Sequence, residues 1–172
     1  MPTPAYMSIE GETQGNITED CNTEDSVGNF YREGHESEFL VQEFNHVLLV
    51  PTDSQSGQPS GPRRHEHLEV TKIYDKSSPL LYNALVTGER MKTCEIRWFR
   101  TNRAGQEEHY FTHTLEDAVI VKINAYMPNA QDPAMENFTH LERIHLTYRK
   151  ITWEHVIAST SGTDDWRAPV ES

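Results

Sequence analysis

Cysteine is nearly absent from this chain: Cys21 and Cys94 are the only two in 172 residues. Two cysteines build no disulfide framework, and no C-x-x-C pair is present for metal or redox chemistry. That scarcity fits a reducing, cytosolic origin. Cys94 sits in an alternating apolar pattern and reads as a small packed residue. Long apolar runs are missing too. None approaches the roughly 18 residues needed for a membrane-crossing helix. Residues 1–6 carry neither a basic segment nor an apolar core, so no secretory signal peptide is expected.

Positive charge is scarce, above all at the start. Residues 1–50 hold ten acids and one base, Arg32, a net of −9. Residues 51–172 hold seventeen acids and fourteen bases, a net of −3, for −12 in all. Such a chain repels a phosphate backbone and an anionic bilayer, so nucleic acid and membrane are poor partners. The acidic first third either lines a solvated face or meets a basic partner.

Catalytic patterns are also lacking. There is no G-x-S-x-G elbow. No glycine-rich loop opens a helix to cradle phosphate. Glu107-Glu108 and Asp164-Asp165 are adjacent acids, which on strands point to opposite faces. Histidine is plentiful, at nine residues. His65 and His67 would share one strand face and make a workable ligand pair, yet a site needs three or four convergent ligands. His109 and His113 would stand about 13 Å apart at strand rise and cannot share an ion. No cofactor and no catalytic residue are assigned.

What is present is strand alternation. Hydrophobic content is 35% and mean hydropathy is −0.71, but the apolar residues are patterned. Ala5, Met7 and Ile9 alternate with polar neighbours up to Gly11. A long strand with a bend near residues 43–45 is expected over 39–50, and further strands over 68–74, 94–99, 109–115, 119–124 and 143–157. Residues 12–29 read as loop, and 158–172 as a polar tail that Trp166 docks. One helix is expected over about 78–87, with Ser78 as cap, Pro79 first and Gly88 as stop. Leu80, Leu81, Ala84 and Leu85 form its apolar stripe. The fold class is mainly β with one helix (α+β): a single domain over residues 1–172, an antiparallel β-barrel flanked by that helix, with a long protruding loop.

That loop is the stretch without apolar residues, 51–62. Pro51, Pro59 and Pro62 cannot donate to a sheet ladder. Thr52, Asp53, Ser54, Gln55, Ser56, Gly57, Gln58 and Ser60 fill most of the remainder. A hairpin needs only a few linking residues. The loop is either slack surface chain or an arm that docks on another molecule. A second candidate is the polar face Arg143, His145, Thr147, Arg149, either ordinary solvated surface or one wall of a wet channel.

Several segments, in order, resemble the Hcp family (haemolysin-coregulated protein), tube subunits of the bacterial type VI secretion system. Met7-Ser-Ile-Glu-Gly-Glu-Thr-Gln-Gly15 resembles its opening strand. Gly34-His-Glu36 and Leu40-Val-Gln-Glu-Phe44 resemble its second strand region. Asp75-Lys-Ser-Ser-Pro79, with Leu80 and Leu81, resembles its helix entry. Residues 142–153 resemble its late strand and residues 166–170 its tail. The tail resembles that of an enterobacterial-type branch, from which Ala5 and Glu12 depart, standing where that branch has a cysteine and a lysine. The resemblance implies six-membered rings around a wide lumen, stacked into a tube. A contractile sheath drives that tube out, and a VgrG-type spike caps it. It implies small effector proteins carried in the lumen, a cytoplasmic start and secretion on firing. It gives the loop 51–62 to contacts between rings. The protein is then structural and not an enzyme, and the chain end at Ser172 leaves no room for an effector domain. The competing reading is a metal-dependent enzyme or binding module on a jelly-roll scaffold, using His65 and His67.

Overall fold

The computed structural model describes residues 3–166. Residues 1–2 and 167–172 lie outside the described residues, the 167–170 stretch of the family-like tail among them.

Strict alternation produces the expected β architecture. Strand β1 (Ala5–Gly11) buries Ala5, Met7 and Ile9. A Cβ at Gly11 would stand 2.1 Å from Glu89 Oε2, so any side chain there would have to displace the Glu89 carboxylate, where β1 meets the end of the helix. The short strands β2 (Gly15–Asn16), β3 (Phe39–Leu40), β4 (Glu43–Asn45), β5 (Leu48–Leu49) and β6 (Arg64–His65) follow. The longer β7 (Leu68–Ile73), β8 (Arg90–Thr101), β9 (Glu107–Tyr126), β10 (Leu141–Thr147), β11 (Lys150–His155) and β12 (Thr160–Asp165) complete the set. The main sheet runs β2-β1-β8-β9-β10-β7-β4, antiparallel throughout.

The segment 39–45 brings the two ends of this sheet together. Its first residues pair with β1 and its last with β7. Between them, Val41 N donates to Ala5 O and Gln42 N to Thr71 O, both at 2.8 Å. Inside sit Met7, Ile9, Leu68, Val70, Ile96, Leu115, Ile144 and Leu146, all almost fully buried.

Three expectations about continuity change. The strand expected over 39–50 is three short pieces, because its residues serve β1, then β7, then a separate ribbon. The strands expected over 109–115 and 119–124 are one, β9, carried through a left-handed Asp117 (φ 52). The strand expected over 143–157 breaks at Tyr148-Arg149. β10 pairs with the second half of β9 and β11 with the first half, so the chain must step sideways there. The tail forms a strand, β12, on the outer edge of β11.

Helix α1 (Glu24–Val27) is a four-residue turn within the stretch expected to be loop, so the flanking helix is not the only one. The flanking helix α2 (Ser78–Thr87) has the expected span and a left-handed Gly88 at its end. Its cap position is Ser77, not Ser78. Ser78 is turned to another task. Lys72 is fully buried, and its Nζ lies 2.5 Å from Glu142 Oε1, 3.0 Å from Asp75 Oδ1 and 3.2 Å from Ser78 Oγ. Ser78 Oγ donates to Glu142 Oε1 at 2.7 Å and accepts from Asp75 N. A buried ammonium is tolerated only when paired in this way. The cluster ties the helix entry to adjacent strands β7 and β10. Leu81 and Ala84 then bury the apolar stripe.

Both cysteines are free and buried. Burial pushes each thiol up to about 12, so neither is a reactive thiolate at neutral pH.

Candidate functional site

The proline-rich loop is an ordered hairpin arm. β5 pairs with β6, and a further bridge joins Thr52 to Pro59. Ser60 N donates to Pro51 O at 2.7 Å, and Asp53 N to Gln58 O at 2.8 Å. At the tip, Gly57 N reaches back to Asp53 O while Gln55 N bonds the Asp53 carboxylate. Gly57 has φ 73, the left-handed conformation such a turn requires. Residues 52–62 are exposed. The arm therefore lacks a core and keeps its shape through local hydrogen bonds and prolines. An apolar collar surrounds its base: Val47, Leu48 and Val50 remain 37%, 45% and 47% exposed.

The arm is fastened at its root. Arg63 grips Asp164 with two hydrogen bonds, Nε to Oδ2 at 2.7 Å and Nη2 to Oδ1 at 2.9 Å. This fork geometry suits a carboxylate. His65 Nε2 lies 2.7 Å from the same Oδ2, and its Nδ1 lies 2.5 Å from the Tyr148 hydroxyl. His46 Nε2 is 2.8 Å from that hydroxyl on the other side. Asp164 has no proton to give, so His65 Nε2 donates to it. With neutral His65 the Tyr148 hydroxyl then donates to Nδ1 and accepts from His46. Trp166 stacks on His65 with ring centroids 5.4 Å apart and donates its indole N–H to Tyr148 O. The docked Trp166 is as expected. Arg63 holds the Asp164 carboxyl below its ordinary value. Burial holds His46 down to about 4 and pushes Tyr148 upward.

This network answers the question about His65 and His67. Both ring nitrogens of His65 are committed to protein groups, and its side chain is only 3% exposed. His67 instead lies beside His145, with centroids 6.3 Å apart. The two do not share a face, because β6 ends at His65 and β7 begins at Leu68. Among the described residues no group of three or more His, Cys, Asp and Glu is placed to hold a metal ion. His113 accepts from the Trp98 indole at 2.9 Å, and His109 bonds Thr112.

The polar face is partly as read. Arg143, His145 and Thr147 alternate along β10 with buried Ile144 and Leu146. Arg143 Nε lies 2.9 Å from Glu69 Oε1, and His145 faces the same carboxylate at 3.9 Å. Arg149 is not part of this face. It lies in the step between β10 and β11, where Nε donates to Asp117 and Nη1 to Asp165.

The sequence reading missed His46, Arg63, Tyr148 and Asp164 as a unit. The available signals were the bases immediately after the loop and the paired acids at 164–165.

The sequence model of a family described as "Type VI secretion system effector, Hcp" matches residues 6–155. The "Major exported protein" of Pseudomonas aeruginosa is 59% identical over 170 residues, covering 99% of both chains. A crystal structure of an Hcp protein superposes with a TM-score of 0.93 at 50% identity, covering 98% of this chain and 100% of that one. The secreted protein Hcp3 from Pseudomonas aeruginosa gives 0.82 at 51% identity, covering 97% and 100%. With its family model spanning most of the described strands and relatives aligned almost end to end, this chain belongs to the Hcp family of type VI secretion proteins.

Proposed function

We propose that this protein is a structural subunit of the type VI secretion tube. Six copies close into a ring, rings stack, and the lumen carries small effector proteins. The observation that carries this reading is the arm: an ordered, solvated ribbon of residues 51–60, locked at its root and ringed by exposed Val47, Leu48 and Val50. An isolated monomer has no use for so rigid a projection, whereas a stacking contact needs one. A ribbon fixed in advance loses little entropy on docking. A closed ring and an open stack are both heterologous contacts of identical subunits.

In this reading the role is structural and not catalytic. Export of the relative named "Major exported protein" supports secretion of this chain after a cytoplasmic start. The spike and the sheath are its mechanical partners. The Arg143, His145, Thr147 face of β10 is the proposed lumen wall, since its mixed charges suit a wet surface. Arg149, held in the step to β11, borders it.

Light scattering and electron microscopy of the purified protein test the assembly. Six-subunit rings are expected. A strictly monomeric protein at high concentration would overturn the reading.

A further inference from the structure

The ring reading leaves the acid-rich segment 19–38 without a task. That segment folds over a surface recess of about 150 Å³, lined by Val27, Phe30, Ile73, Tyr74, Thr139 and His140. Phe30 and Tyr74 are 49% and 44% exposed there, large aromatic surfaces left half in water. A smaller cavity of about 20 Å³ adjoins it, sharing Val27, Phe30 and Ile73, and reaches inward to Asn22 and Asp75. Both inner residues carry a buried polar atom without a partner among the described residues: Asn22 Nδ2, a donor, and Asp75 Oδ2, an acceptor. Asn22 is 4% exposed and the Asp75 side chain 1%. Orphaned buried polar atoms are costly and uncommon, so a pair of opposite sense in one cavity marks a place for a ligand group. A cavity of this size admits one water-sized group.

The rim is negative. Glu24 and Asp25 are exposed, and neither has an ion-pair partner among the described residues. The cations nearest the recess are Lys76, whose backbone N bonds Ser26 Oγ, and Arg32, whose backbone N bonds Asn22 Oδ1. Glu24 and Asp25 directly precede Ser26 and Val27 at the recess wall.

We propose that this recess docks a basic segment of another protein. One apolar side chain enters between Phe30 and Tyr74, flanking Lys or Arg residues meet the carboxylate rim, and one small polar group bonds Asn22 Nδ2 and Asp75 Oδ2. Charge complementarity selects the occupant. A second copy of this chain, at −12 overall, is poorly suited. Most of its cations are already paired, among them Arg63, Lys72, Arg97, Arg143 and Arg149. Aromatic anchors within a charged rim are the usual makeup of an interaction hot spot. This inference does not require ring formation.

The test uses the full chain and a labelled ten-residue peptide with a central Leu-Phe pair between Lys and Arg residues. Anisotropy should show saturable binding that weakens about tenfold between low and high salt, as screening of the rim predicts. Phe30→Ser, and separately the pair Glu24→Lys with Asp25→Lys, should each weaken binding about tenfold. Glu107→Lys and Glu154→Lys, acids elsewhere on the surface, should leave it unchanged. Backbone NMR shifts on titration should concentrate at residues 21–31, 73–75 and 139–140. No binding at millimolar peptide, or equal losses from the distant acids, overturns the proposal. So does dispersal of rings by Phe30→Ser, which would make the recess a contact between copies. Binding at the recess by a protein that forms no rings would sink the tube reading and leave this one standing.

Discussion

His65 on the returning strand of the arm places Nε2 2.7 Å from Oδ2 of Asp164, a residue on the last strand. That bond, with the Arg63 fork on the same carboxylate, joins the arm to the outer edge of the barrel. Asp164→Asn keeps the shape but removes the charge that both partners meet. It is expected to cost about 1–3 kcal/mol, as loss of hydrogen bonds to a charged group does. Amide exchange at residues 48–49 and 64–65 should accelerate while exchange in β8 and β9 stays slow. Unchanged exchange in the ribbon would show that the latch does not hold the arm.

Deleting residues 53–60 removes the tip and spares the β5–β6 pair. Rings are expected to form normally, with stacking and secretion reduced. Micrographs of long tubes, together with normal amounts of protein in the medium, would remove the arm from the stacking contact.

Acid should weaken the fold in two stages. Burial holds His46 and His113 down to about 4 from an ordinary 6.5. The unfolded chain therefore takes up protons at these sites below pH 6.5, whereas the folded protein resists until about pH 4. Stability is full above pH 6.5 and declines between the two values. Asp164 acts lower. Its folded value is depressed, first by Arg63, so its contribution is full above the unfolded 3.8 and disappears as pH falls through the folded value. Urea midpoints at pH 7.0, 5.5 and 4.5 should decrease steadily. His46→Gln with His113→Gln should flatten that window and leave the fall below pH 4. A wild-type midpoint constant from pH 7.0 to 4.5 would contradict the assignment.

Lys72 and Glu142 are both fully buried, and Lys72→Met leaves carboxylates without their cation. Breaking a buried pair from one side costs about 3–5 kcal/mol. Adding Glu142→Gln should return more than half of that loss, because paired groups are not additive. Equilibrium unfolding in urea measures both. Additive losses would mean that the pair is not coupled.

The proposed lumen face can be mapped with single cysteines at Arg143, His145 and Thr147, since the native thiols are buried. Cross-linking to a bound effector from these positions, and weaker linking from Arg149, is expected. Capture from none of the three would place the wall elsewhere.

Much of this was legible locally. Ile144 and Leu146 against Arg143 and His145 gave the two faces of β10, because strand periodicity is a property of neighbouring residues. Pro79 and Gly88 bounded the helix for the same reason. Ser78 does not cap the helix because its hydroxyl is held by buried Glu142 and Lys72, brought near only by folding.

The sequence by itself determined most of the longer strands, which face of most of them is apolar, where the long helix runs, and that residues 51–62 cannot be core. These depend on periodicity, turn chemistry and composition, all short in range. It did not show β12 or α1. Tertiary structure alone decided where strands break and whom they join. The segment 39–45 divides because it must satisfy β1 at one end and β7 at the other. His65 gave up a metal-ligand reading because folding set Asp164, 99 positions away, against one ring nitrogen and Tyr148 against the other. Such pairs arise where the separate β5–β6 ribbon packs against the end of the main sheet, a meeting that no local pattern encodes.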